Sequence, residues 1–180
     1  MAASMALTAR TRVALRERRD LILAAHEHQS IPADFEQVCE ALRPLRDRAS
    51  TFLEWGSGTG VIATAAALLG FESYGIELDA GLVELSRGVA RDFGADVTFA
   101  AGSFVPETYE WDPRIGDEDM RTDLDGPAAY ETLEMRPRDF DLVYAYPWHE
   151  EIGFYRDLAR HCGVMLLLHQ GDEGMALFEA

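Results

Sequence analysis

The chain has no lysine: all 16 of its basic residues are arginine, a bias of composition from which no function is read. Cationic charge is scarce overall, because 32 Asp and Glu leave a formal net charge of −16. A field of that sign repels phosphate backbones and excludes DNA or RNA as a bulk partner. It suits a basic small molecule or peptide, although acidity that serves only solubility explains it as well. The imbalance is local, with 8 Arg against 7 acids in residues 1–50 and 8 against 25 in residues 51–180.

Cysteine is almost as rare. Cys39 and Cys162 fall in separate predicted helices without metal-ligand spacing, so they read as buried thiols in a reducing compartment, and no cluster supports a metal. No apolar run is long enough to span a membrane, and none is expected to insert. Glu17 and Asp20 interrupt the Arg10–Arg19 stretch, and no signal-peptide core is present, so the expected location is cytoplasmic. Internal repeats and low-complexity tracts are absent too. What remains is 180 residues, 48% of them apolar, which fits one globular domain.

The organising stretch is Phe52-Leu53-Glu54-Trp55-Gly56-Ser57-Gly58-Thr59-Gly60. An apolar run enters a loop that alternates glycine with small residues, and the helix-forming stretch Val61 to Leu69 follows at once. Strand, turn and helix in that order place free N–H groups and a positive dipole end beside a loop that a ligand can approach closely. Before it, residues 1–49 form a helical cover: one helix from about Leu7 to Gln29, then a second opened by Pro32, striped by Phe35, Val38, Cys39 and Leu42, and closed by Pro44. These helices are placed to cover a sheet edge or the ligand mouth.

After the loop, Ser73–Leu78 predicts a second strand. Asp79 then caps a helix with Leu82, Leu85, Val89 and Phe93 on one face, and Asp96–Ala101 predicts a third strand. Residues 105–139 break the pattern with four prolines and many acids, and read as an acidic insertion with one short helix near Pro127–Met135. Phe140–Tyr146 is a strand, Glu150–Cys162 a helix, Val164–His169 a buried strand and Met175–Phe178 a last short one. The predicted fold is α/β, a three-layer Rossmann-like, mostly parallel sheet of five to six strands with helices on both faces; the core runs from 50 to 170. Ligands bind such sheets at the carboxyl ends of the strands, where every noteworthy residue falls.

Glu77 ends the second strand beside the glycine loop, where a carboxylate can accept both hydrogens of a ribose diol; a plain strand-end carboxylate is the other reading. The glycines at 56, 58 and 60 do not follow the dinucleotide spacing, and Val61 stands where its last glycine would be. Glu54 before the loop opposes a pyrophosphate and suits an ammonium or sulfonium group, which argues against NAD and a nucleotide-dependent oxidoreductase.

On these two motifs, Leu53–Gly60 and Tyr74-Gly75-Ile76-Glu77-Leu78-Asp79, the chain resembles the class I, Rossmann-like S-adenosylmethionine-dependent methyltransferases over about residues 50–170. Ala101-Gly102-Ser103-Phe104 resembles the turn that faces adenine, with Ser103 where many members carry Asp. Asp141-Leu142-Val143-Tyr144-Ala145-Tyr146-Pro147-Trp148 resembles the fourth motif, without the carboxamide or carboxylate that amine-methylating relatives place there. The resemblance implies S-adenosyl-L-methionine as cofactor, held by Glu54, Trp55, Gly56, Ser57, Gly58, Gly60, Glu77, Leu78, Gly102, Ser103, Phe104 and Tyr144. It implies methyl transfer at Tyr146, Trp148 and His149, to a small-molecule or basic-peptide substrate. A degenerate, non-catalytic module that binds the cofactor or a partner is the alternative. The short C-terminus lacks the family's usual final hairpin, so the open sheet edge implies a cover by the first helices or a homodimer.

Overall fold

The computed structural model describes residues 7–25, 33–110, 112, 122, 123 and 125–179. Six strands form one sheet in the order β3-β2-β1-β4-β5-β6: β1 (Thr51–Trp55), β2 (Glu72–Glu77), β3 (Val97–Ala101), β4 (Leu142–Ala145), β5 (Met165–His169) and β6 (Met175–Phe178). The first five are parallel, and β6 returns antiparallel to β5. The chain winds outward from β1 to β3, then crosses back to lay β4 on the other side of β1. That reversal opens a crevice at the carboxyl ends of β1 and β4.

Strand residues alternate between two cores, as the two-residue period of a strand requires. Phe52, Leu142, Tyr144 and Leu167 face α3 (Val61–Leu68), α4 (Ala80–Asp92), and the two N-terminal helices α1 (Ala9–Ala25) and α2 (Phe35–Leu42). Leu53, Trp55, Val143, Leu166 and Leu168 face α5 (Ala129–Leu133) and α6 (Ile152–Cys162). Helices therefore cover both faces.

The second cover helix is shorter than its sequence pattern predicts. The first ends at Ala25 among the described residues, and 26–32, Pro32 included, lie outside them. The second starts at Phe35 because Asp34 caps it, accepting from the Glu36 and Gln37 amides. Its buried stripe is Phe35, Val38, Cys39 and Leu42, as the periodicity predicts. Of the acidic insertion, the described parts include the short helix α5 and a parallel bridge between Ser103 and Ala128; residues 111, 113–121 and 124 lie outside the description. Buried Glu151 ties the insertion to the start of α6 by accepting from the Thr122 amide and hydroxyl. At the opposite end, the Asp141 carboxylate accepts from the Ser50 and Thr51 amides, aligning the starts of β1 and β4.

Candidate functional site

The loop after β1 is locked before any ligand arrives. Ser57 donates its amide to Ile76 O at 2.9 Å, the Gly58 amide donates to Glu77 Oε2 at 2.9 Å, and Ser86 from α4 donates its hydroxyl to Gly58 O at 2.9 Å. Gly60 caps α3 in the left-handed region, φ 68°, and a Cβ there would lie 2.5 Å from Ser86 Cβ and 2.8 Å from Phe99 Cζ. Only glycine fits both the angle and the gap. Gly75 on β2 is equally confined, its missing Cβ facing the Phe99 ring and Ser57 Cβ at under 3 Å.

A cavity of about 480 Å³ opens over this loop, within the usual range for small-molecule sites. Of the residues expected to bind a cofactor, Glu54, Trp55, Gly56, Ser57, Gly58, Glu77 and Tyr144 line it. Tyr146 and Trp148 from the segment after β4 line it as well. His149 is not on the wall; it is exposed and opens a 3-10 turn next to Trp148.

Glu54 is 5% exposed. Its Oε2 accepts from the Ala63 amide at 2.9 Å, so the carboxylate supplies the N-terminus of α3 with the cap that Gly60, lacking a side chain, cannot. Burial, reinforced by the Glu77 charge, holds its carboxyl well above the usual range, against the pull of the Ala63 N–H. Glu77 is less enclosed. Its Oε1 accepts from the Asp79 amide at 3.1 Å and its Oε2 from Gly58, which fixes the carboxylate and leaves each oxygen a second lone pair. Two buried hydroxyls on the same wall, Ser57 Oγ and Tyr144 Oη, have no hydrogen-bond partner among the described residues.

The turn after β3 is placed differently. Leu78, Gly102, Ser103 and Phe104 do not line the cavity. The Ser103 hydroxyl accepts from the Val105 amide, its backbone bonds Pro127 and Ala129, and the Phe104 ring stacks on Trp55 with centroids 5.3 Å apart. His169, at the end of β5, is buried against Tyr146, and its Nε2 faces the Asp34 amide at 3.3 Å. Burial lowers its pKa.

Sequence reasoning missed three wall residues from the cover, Arg19 and Leu23 of α1 and Ala33. Their approach depends on how α1 crosses α3, and the periodicity of α1 carries no trace of it. The expectation that the helical cover lies over a sheet edge or the ligand mouth was the available signal.

No family model matches the chain. Two curated relatives are both lysine N-methyltransferases named for an ATP synthase component as acceptor: that of Xenopus laevis is 44% identical over 57 residues and that of Mus musculus 36% identical over 80. These matches cover 32% and 44% of this chain, and span only 25% and 32% of the relatives. Among solved structures, the SAH-bound Podospora anserina methyltransferase is similar at TM-score 0.55 and 15% identity, over 86% of this chain and 61% of that one. An RNA methyltransferase of Salinibacter ruber in complex with S-adenosyl-L-homocysteine gives 0.51 and 20%, over 82% and 90%. The chain has the Rossmann-like fold of the S-adenosylmethionine-dependent methyltransferases.

Proposed function

We propose that this chain of methyltransferase fold is an S-adenosylmethionine-dependent methyltransferase acting on a small molecule or a protein side chain, and within that class on a lysine-like amino group. The observation that carries the reading is one cavity wall holding Glu54, Glu77 and the unpartnered hydroxyls of Ser57 and Tyr144 over a glycine loop that no Cβ can enter at Gly60. Bound there, the cofactor supplies an electrophilic methyl group on a cationic sulfur. Glu54 would hold the ammonium of its amino-acid end and Glu77 the ribose hydroxyls, roles for which their charge and their spare lone pairs fit. The remaining contribution of the protein is alignment and exclusion of water. Leu78, Gly102, Ser103 and Phe104, which do not line the cavity, are proposed only as the surroundings of the cofactor's adenine end.

An amine acceptor has separate support. Tyr146 and Trp148 line the wall, and aromatic rings attract a cation by about 0.5–2 kcal/mol. Asp79, Asp123, Asp125, Glu150, Asp172 and Glu173 follow the carboxyl ends of the strands, and the described residues of those loops include no arginine. The two curated relatives are named for a lysine acceptor. His149, one residue beyond Trp148, is the candidate base that takes the proton from the incoming ammonium.

Labelled-methyl transfer tests the reading, with a lysine-containing basic peptide, the same peptide with its lysine replaced by arginine, and RNA as acceptors. Transfer only to the first is expected, with His149→Ala lowering turnover but not cofactor affinity. Label on RNA alone would reverse the acceptor class. Cofactor binding without transfer to any acceptor would favour the non-catalytic module.

A further inference from the structure

We propose that Tyr144 reads the carboxylate of the cofactor's amino-acid end and so makes the site specific for an intact amino-acid moiety; the proposal rests on the cofactor reading above. Tyr144 is 2% exposed, lines the cavity, and its Oη has no partner among the described residues. A buried hydroxyl without a partner is unfavourable, and among the described residues nothing offsets it for Tyr144. A ligand atom that accepts its hydrogen bond removes that cost.

Strand register says which atom. Glu54 on β1 pairs with Gly75 of β2 on one side and with Tyr144 of β4 on the other, and Glu77 stands two residues beyond Gly75. Across the sheet the order is therefore Glu77, Glu54, Tyr144, in steps of about 4.8 Å between strands. A ligand whose ribose meets Glu77 and whose ammonium meets Glu54 extends its last charged group toward β4. That group is a carboxylate, which Glu54 repels and a hydroxyl donor receives. Tyr144 is suited to donate, because burial and the nearby Glu54 charge keep its pKa well above the usual tyrosine value and its proton in place.

The test is Tyr144→Phe, which removes one oxygen and keeps the ring. Three ligands are titrated calorimetrically into wild type and variant: S-adenosylhomocysteine, its decarboxylated analogue that retains the amine, and 5′-methylthioadenosine, which lacks the amino-acid end. The variant is expected to lose about tenfold in affinity for S-adenosylhomocysteine, the scale of a hydrogen bond to a charged group. It should bind the other two as wild type does. Its ligand-free unfolding midpoint should be no lower than wild type, since the hydroxyl has no partner to lose among the described residues. Unchanged affinity for S-adenosylhomocysteine, or an equal loss with the decarboxylated analogue, overturns the assignment to the carboxylate. Wild-type protein that binds none of the three overturns the cofactor reading itself.

Discussion

On the proposed function, Glu54 is where structure and ligand compete for one side chain. It caps α3 through Ala63, and burial raises its pKa, so the folded state holds this proton more tightly than the unfolded chain does. Its contribution to stability is therefore fullest below the ordinary carboxyl range and falls as pH rises through that range toward the raised value. A glutamine keeps an oxygen for the Ala63 amide and discards the charge. Glu54→Gln is expected to raise the melting temperature at neutral pH and flatten its pH dependence. The same variant should weaken S-adenosylhomocysteine at least about tenfold, because the ammonium loses its counter-charge. Melting curves from pH 4 to 8 and one titration check both. Glu54 and Glu77 were legible in the sequence because each sits at a fixed offset from the glycines. That the Tyr144 hydroxyl has no partner among the described residues was not legible, since it depends on everything packed around β4.

At the scale of elements, the loop between β1 and α3 is set by α4 and β3 as much as by its own glycines. Ser86 and Phe99 press on Gly60 from outside the motif. Gly60→Ala meets both a positive φ and a closed gap, and is expected to destabilise the fold by about 2–3 kcal/mol and to lower cofactor affinity together with it. Chemical denaturation beside a binding titration measures the pair. The strands and the helices between them were readable from period and capping residues, down to Asp79, whose carboxylate accepts from the Gly81 and Leu82 amides. The cover was readable only as helices. Which wall α1 reaches, and that Arg19 and Leu23 arrive there, follows from packing across a long sequence separation.

On the scale of the whole molecule, topology sorts the charge. The net −16 would be a bland solubility device if it were spread evenly, yet the described residues of the loops at the carboxyl ends of the strands carry acids without arginine, Arg19 on the cavity wall coming from α1. A field focused on the ligand end speeds the approach of cationic partners and is screened within about 8 Å at physiological salt. Raising the salt from 50 to 500 mM is therefore expected to increase KM for a basic peptide several-fold. Affinity for S-adenosylhomocysteine, enclosed in the cavity, should change much less. A peptide KM indifferent to salt would remove the acidic rim from substrate capture. The sequence showed the amount of negative charge, and only the strand order showed where it gathers.

On the proposed function, the glycine loop, Glu54 and Glu77 hold an adenosylated amino acid. Calorimetric titration of S-adenosylhomocysteine into the wild-type chain, with NAD as the comparison ligand, tests it most directly. Saturable one-site binding of S-adenosylhomocysteine and no heat from NAD is the predicted result; a flat S-adenosylhomocysteine titration, or NAD binding equally well, would contradict it.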